Sequence, residues 1–494
     1  MGFRSSRNGI PPARQASVAA LLSAVLPSWG QAHTGRRKLA FTLLVIDAVL
    51  ALSLVLAVTM FQIEALRMWV SPDALVVLMA LNAALLTYRG LAVRGAFTSA
   101  GVRDSGVASV GRMSVAAVLL VVPHLAFGYL AWTQYDLITT VFAPPTAANT
   151  TTTSSASSST VAEDSTTTTA ATTTTAVPTI WDGVERLNIA LLGSDMRPDQ
   201  EDLDPESRGY LGHRTDIMIV VSINPSPPYD VAVLPVPRFL SNFELPDGFG
   251  VEPTLDDWDW IGHVWRRAED IAPELYPGPG RPGENAVKTA LGGLFDLQIH
   301  YYALITVGGF IDIVDAFGGV TLDVPRRIVD RNYDTADDHN SATRTTMVIE
   351  AGRQHLDGYH ALAYARIRSQ SHEFARMHRQ RCVISALIEQ TNPISLLLNF
   401  EPIATAIKDN VLTDIPQDRL VDFVDMLPNL HTENFTTLPI DTDYEIPAPV
   451  SGIRYYDLER IKADAQLVLT DPIRARAELG LTGLDTNCEE SLDP

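Results

Sequence analysis

Three short stretches carry the residue types that hold and transfer charged groups. The first, LLGSDMRP at 191–198, ends an apolar run at Gly193 and then presents Asp195 and Arg197. The second, HRTD at 213–216, sets Arg214 and Asp216 directly before another apolar run. The third, ALAYARIRSQSHEFARMHRQR at 361–381, holds Arg366, Arg368, Arg376, Arg379 and Arg381. Guanidinium forks match phosphate oxygens in pairs and stay charged when partly buried. Five arginines in 16 positions therefore point to an anion site. Arg376 and Arg379, three apart, share a face if that stretch is helical, and Arg366 and Arg368 point the same way if theirs is extended. Arg238, in PVPRF, adds another guanidinium. Asp195 and Asp216 suit one hard cation, since magnesium takes one or two carboxylates and fills its shell with phosphate oxygens and water. The competing explanation is ordinary: aspartates as turn residues and arginines on a solvated helix face. The chain has only four lysines, so the preference for Arg is uninformative and the clustering carries the weight.

Those stretches need elements to position them. LNIALL (187–192), DIMIVVSI (216–223) and DVAVL (230–234) have the length and composition of buried strands, the last two forming a hairpin. Further strands are expected over 301–307, 320–324 and 435–438. Helical periodicity covers about 284–296, 308–317, 357–365, 374–391, 394–408, 416–427 and 456–468. Strands mixed with long helices argue for a sheet covered on both faces. Each of the three stretches begins where an apolar element stops, the usual place for a ligand site in α/β folds.

Ahead of this domain, apolar runs at about 39–60, 73–88 and 113–134 predict three transmembrane helices, a span needing roughly 20 apolar residues. Asp47 lies inside the first run and has to be paired there. Basic residues crowd the segment before the first run and the loop between the second and third, which puts the N-terminus in the cytoplasm and everything after Asp136 outside. The stretch 17–30 is apolar but short, contains Pro27, and is expected to be interfacial or re-entrant. Residues 144–179 are almost all Thr, Ser and Ala, a stalk that cannot bury a core. The expected organisation is a cytoplasmic segment (1–38), three spans (39–136), a linker (137–180), a folded domain (181–440) and a tail with a short helix (441–494).

Formal net charge is -21. Residues 1–143 hold 11 Lys+Arg against 5 Asp+Glu, so the excess acid lies beyond them. An acidic exported domain with no recognition-helix motif excludes nucleic acid as partner. Two cysteines, Cys382 and Cys488, are too few for a disulfide scaffold or a thiolate zinc site, though one disulfide is open to them. No P-loop, HExxH or nucleophile-elbow pattern is present. Trp258, Trp260, Trp265 and Phe249 suit core or lid packing better than a sugar or lipid groove.

In order along the chain, LNIALLGSDMRP, HRTDIMIVVSINP, VAVLPVPRF, DLQIHYYALITVGGFIDIVDAFGGVTLDVP and GRQHLDGYHALAYARIRSQSHEFARMHRQR resemble the LytR–CpsA–Psr family of cell-wall glycopolymer transferases. The resemblance covers about 187–391. It implies an α/β/α sandwich around a mixed sheet and a polyprenyl-pyrophosphate-linked glycan as substrate. The lipid would lie in an apolar tunnel, the pyrophosphate on arginines and Mg²⁺. The glycan phosphate would pass to a cell-envelope acceptor such as peptidoglycan, so that the enzyme is a membrane-bound phosphotransferase. On this resemblance Asp195 and Asp216 match metal-associated aspartates, and Arg214, Arg238, Arg366, Arg368 and Arg376 match phosphate-binding arginines. Gln380, after Arg379, matches the family's Arg-Gln pair. Three departures stand out: Phe239 replaces an Asp, Trp260-Ile261-Gly262 replaces a Lys-x-Asn stretch, and Glu373 replaces an Asp. Glu373 or Asp195 is the expected proton acceptor. A lipid-pyrophosphate hydrolase would use the same residues, and the departures keep open a binding protein without catalysis.

Overall fold

The computed structural model describes residues 12–60, 62–100, 107–142, 184–195, 214–243, 245, 260–334, 344–368, 373–390, 400–426, 429, 431–448, 453–481 and 483. The chain divides into two compact units, Met1–Thr140 and Val141–Pro494.

The first unit is helical: α1 (Pro12–Val25), α2 (Pro27–His33), α3 (Arg37–Met60), α4 (Gln62–Val70), α5 (Pro72–Ser99) and α6 (Val107–Val141). Two helices among the described residues, α5 and α6, are long and apolar enough to cross a membrane, against three expected. The first apolar run forms α3, 24 residues long, with Asp47 inside it. Tyr88 Oη donates to Asp47 Oδ1 at 3.2 Å, the pairing that a carboxylate in an apolar helix requires. The stretch around Pro27, expected to be interfacial or re-entrant, forms a helical hairpin, because proline at the first position of α2 is suited to start a helix. The hairpin packs on α5 through buried small residues such as Ala20 and Ala24. Gln31 Nε2 donates to the Ala92 carbonyl at 3.1 Å and Arg89 Nη2 to the Ala24 carbonyl at 2.6 Å.

The second unit is built on a six-stranded sheet. Its elements run β1 (Leu187–Ser194), β2 (Thr215–Ile223), β3 (Val231–Pro235), α7 (Pro282–Phe295), β4 (Tyr301–Thr306), α8 (Val307–Ala316), β5 (Val320–Val324), β6 (Ile328–Asp334), β7 (Arg344–Ile349) and β8 (Gly352–Leu356). They continue with α9 (Gly358–Arg366), α10 (Glu373–Gln390), α11 (Phe400–Asn410), β9 (Val411–Thr413), α12 (Leu420–Met426), β10 (Phe435–Thr437), α13 (Leu458–Thr470) and α14 (Pro472–Leu479). The sheet order is β10-β3-β2-β1-β4-β9. β1 pairs antiparallel with β2 and parallel with β4, so the sheet is mixed.

The strands alternate strictly between two cores, as the period of two demands. Ala190, Leu192, Met218, Val220, Ala232 and Leu234 face one side, where Leu291 and Phe295 of α7 and Ile461 and Val468 of α13 cover them. Leu187, Ile189, Ile219, Ile223, Val231 and Val233 face the other, against Met426 and Phe423 of α12 and Ile384 of α10. Helices on both faces make the expected α/β/α arrangement. Each fully buried leucine or phenylalanine in these layers contributes roughly 1.5–3 kcal/mol.

A separate core holds the arginine-bearing elements. Val314 of α8, Leu322 of β5, Tyr333 of β6, Met347 of β7, Tyr364 of α9 and Val383 of α10 pack together away from the main sheet. β5 pairs here with β8, and β6 with β7, so the expected strand at 320–324 does not join the main sheet. α9 starts against α8 so closely that a Cβ at Gly358 would lie 2.3 Å from the Ile311 carbonyl oxygen, which only glycine permits. The segment after 440 does not trail from the domain. Its expected helix forms, and Tyr444, Tyr456, Ile461, Ala465 and Leu469 sit in the first core. Cys382 is buried and disulfide-bonded, and Cys488 lies outside the described residues.

Candidate functional site

The site lies at the ends of β1, β2 and β3 nearest Asp195, Asp216 and Arg238. β1 closes with a bulge at Gly193/Ser194 and delivers Asp195, which is 9% exposed. Arg214 holds this carboxylate at three points. Its backbone N–H donates to Oδ1 at 2.9 Å, Nε donates to Oδ2 at 2.7 Å, and Nη2 lies 2.5 Å from Oδ2. Asp216, the second residue of β2, accepts from Nη1 of Arg238, three residues beyond the end of β3. Arg376 of α10 reaches over to the Asp216 backbone carbonyl, with Nη2 at 3.4 Å.

The two aspartates are electrostatically linked and pushed apart. Burial raises the Asp195 carboxyl above the ordinary range, the Asp216 charge raises it further, and Arg214 opposes both. Burial also works to raise Asp216, but Arg238, Arg376 and Arg214 outweigh it and hold the group at about 2. The contact of Arg238 falls on Oδ1 of Asp216. Among the described residues no group of three or more His, Cys, Asp or Glu converges. A metal here would have to draw most of its shell from phosphate and water.

Two connected hollows border this chain of charges. One, about 250 Å³, is lined by Arg214, Asp216, Arg238, Phe239, Trp260, Gly262, His263 and Arg368. The other, about 200 Å³, is lined by Asp216, Arg238, Asp330, Asn332, Tyr333, Arg366, Ile367, Arg368 and Arg376. Two of the three departures from the family pattern, at Phe239 and at Trp260 to Gly262, lie in the first hollow. The Arg238 guanidinium sits 4.4 Å from the Phe239 ring centroid, and Phe239 meets Trp260 edge to face at 4.7 Å. Gly262 is required there, since a Cβ would come within 3.1 Å of the carbonyl oxygens of both Arg238 and Thr215.

The structure thus brings Asp216, Arg214, Arg238, Arg366, Arg368 and Arg376 to the two hollows, with Asp195 behind them on Arg214. Arg379 and Gln380 serve them from behind rather than in them. Arg379 is 1% exposed; its Nε donates to the Tyr364 carbonyl at 2.8 Å and its Nη2 to the Ile367 carbonyl. Gln380 Nε2 donates to the Ala365 carbonyl at 3.3 Å. Together they grip the C-terminal turn of α9, where carbonyls lack helical partners, and so fix the backbone that carries Arg366 and Arg368. Expecting Arg376 and Arg379 to act alike failed because residues three apart on a helix still diverge when one meets the sheet and the other a helix end. Glu373 opens α10, but its side chain, like Arg197, Trp258 and Phe249, lies outside what the structure describes. Trp265 is a core residue, as expected.

Sequence reasoning missed Asp330, Asn332 and Tyr333, which β6 brings to the second hollow. Their only local signal is the alternation in IVDRNYD, which marks a strand and no chemistry. A crevice of about 10 Å³ lies between Ile217, Met218 and Ile219 of β2 and Met377, Gln380 and Arg381 of α10, too small for a prenyl chain.

The LytR_cpsA_psr family model matches residues 146–468. Over 188 residues the chain is 34% identical to a polyisoprenyl-teichoic acid–peptidoglycan teichoic acid transferase, TagU of Bacillus mycoides, covering 37% of this chain and 54% of that one. It is 28% identical to the protein of the same name from Oceanobacillus iheyensis over 274 residues, 55% of this chain and 71% of that one. The chain spans about half the length of the first of these relatives. Among solved structures it resembles TagV of B. subtilis at 20% identity, covering 58% of this chain and 97% of the other, with a TM-score of 0.41. With the family match spanning well over half of its length, the chain belongs to the LytR–CpsA–Psr family.

Proposed function

We propose that this protein transfers a glycan phosphate from a polyprenyl-pyrophosphate carrier to a cell-envelope acceptor such as peptidoglycan. The observation that carries the reading is the convergence of Arg214, Arg238, Arg366, Arg368 and Arg376, from four separate segments, on one cleft. They do so in a protein whose net charge is -21. A diphosphate is the ligand that repays such a concentration of guanidinium groups, each able to donate two parallel charge-assisted hydrogen bonds. The relatives named as teichoic acid transferases support the same assignment.

In this reading the arginines bind the pyrophosphate and stabilise charge on the departing lipid phosphate. The ion pairs with Asp195 and Asp216 keep the forks of Arg214 and Arg238 oriented before substrate arrives. Asp195 and Asp216 would hold Mg²⁺ once the pyrophosphate draws the Arg214 and Arg238 forks off their carboxylates. When bound, Mg²⁺ would neutralise pyrophosphate oxygens.

The protein would be anchored by three spans, α3, α5 and α6, with Asp47 of α3 tolerated through its bond from Tyr88. Arg4, Arg7, Arg14 and Arg36 before α3, with Arg37 and Lys38 at its start, and Arg89, Arg94, Arg103 and Arg112 around the α5–α6 connection would put those ends in the cytoplasm and the second unit outside. The disulfide at Cys382 suits that oxidising side. The test uses the full chain in liposomes with a labelled lipid-linked glycan and peptidoglycan fragments, with Mg²⁺ or with chelator. Transfer should need Mg²⁺ and vanish in the Arg366→Ala, Arg368→Ala double variant, with lysine at either position restoring only part of it. Undiminished transfer by the double variant would overturn the assignment.

A further inference from the structure

The two hollows share Asp216, Arg238 and Arg368 and diverge from there. One leads to Phe239, Trp260 and His263, the other past Arg366 and Arg376 to Asp330, Asn332 and Tyr333 of β6. Resting on the phosphotransferase reading, we propose that the second hollow is the acceptor subsite, taking a sugar hydroxyl, and that Asp330 receives the proton of that hydroxyl.

The carboxylates bordering the cleft differ in what they are free to do. Both oxygens of Asp195 are held by Arg214. Asp216 is in contact with Arg238 and stays ionised through a crowd of guanidiniums. Asp330 has no ion-pair partner among the described residues. Its Oδ1 accepts the Asn332 backbone N–H at 3.0 Å, which fixes the side chain and leaves Oδ2 for a ligand. The β6–β7 register shifts between Asp330 and Tyr333, and such bulges re-aim side chains beside sites. Tyr333, buried and edge to face with Tyr359 of α9 at 5.9 Å, ties the hairpin to the helix that carries Arg366.

In-line displacement at phosphorus needs the entering oxygen to arrive by a different route from the leaving one. Two hollows meeting at Asp216, Arg238 and Arg368 provide separate routes to one point. In the step itself, the acceptor oxygen forms a bond to the phosphorus that carries the glycan. The bond from that phosphorus to the bridging oxygen breaks, and its electron pair leaves with polyprenyl phosphate. The hydroxyl proton passes to Oδ2 of Asp330. Asparagine at 330 keeps an oxygen for the Asn332 N–H but cannot take the proton.

The experiment uses the full chain in detergent, a short-chain prenyl-pyrophosphoryl-N-acetylglucosamine as donor and a soluble peptidoglycan fragment as acceptor. Asp330→Asn should lower kcat by about 100-fold or more, with the donor Kd within about twofold of wild type, and Asp330→Glu should recover part of the rate. A kcat within about fivefold of wild type overturns the proposal. So does a donor affinity that falls in step with kcat, because that marks a structural role. If the wild-type protein transfers nothing from the donor, the phosphotransferase reading falls first; if wild type transfers and Asp330→Asn matches it, only the role of Asp330 falls.

Discussion

Replacing Arg379 with alanine tests whether the site is held by the chain behind it. Arg379 is 1% exposed and bonds the carbonyls of Tyr364 and Ile367, with its guanidinium 5.8 Å from the Tyr364 ring centroid. A hydrogen bond from a charged donor is worth roughly 1.5–3 kcal/mol, and the ring contact adds roughly 0.5–1 kcal/mol. Relief from burying a cation offsets part of the loss. The net cost is on the order of 3 kcal/mol, which at roughly 2 °C per kcal/mol for a unit of this size lowers Tm by about 6 °C. Transfer should fall further than stability does, because the two carbonyls flank Arg366 and precede Arg368. Lysine is a point charge and cannot span both carbonyls, so Arg379→Lys should fall between. Tryptophan fluorescence melts of the full chain in detergent, run beside the transfer assay, measure both effects. An alanine variant that melts within about 1 °C of wild type and transfers normally would refute the positioning argument, as would a lysine variant indistinguishable from wild type.

Two further outcomes follow from the same geometry. Asp216 has its carboxyl held at about 2, below its ordinary 3.8, so its contribution to stability is present above about pH 4 and is lost as pH falls through 2. Asp195, raised, works with the opposite sign. The Tm difference between wild type and Asp216→Asn should therefore be positive at pH 6 and shrink below pH 4, and a difference constant from pH 6 to pH 3 would show that the charge is not what matters. Gly262→Val should push the 260–262 segment off Arg238 and Thr215, because even a Cβ meets both carbonyls at 3.1 Å. Overpacking of this kind costs roughly 1–3 kcal/mol, and a crystal structure of the variant should show the Arg238–Asp216 contact displaced.

The strand hairpin of β2 and β3, the parallel partner β4 and the helices α7, α8, α9, α10 and α13 were all legible as periodic apolar runs, because hydrophobic period is a local property. The arginines of 366–381 were legible as a cluster for the same reason. Their division of labour was not. Arg376 and Arg379 are equivalent by spacing, yet one ends at the Asp216 carbonyl and the other behind α9. The β6–β7 hairpin was passed over because IVDRNYD alternates weakly and carries no motif.

The sequence alone therefore determined which segments would bury themselves, where the apolar helices lie, and that cationic groups gather in an acidic chain. Only the tertiary structure decided which guanidiniums face the cleft, which oxygen of each aspartate is already engaged, and that a strand over a hundred residues from Asp195 brings a carboxylate with an unengaged oxygen to the same cleft. Burial and charge can be counted along a chain. Partnership cannot, because a hydrogen bond joins whatever the fold sets within about 3 Å, however far apart the two residues are in sequence.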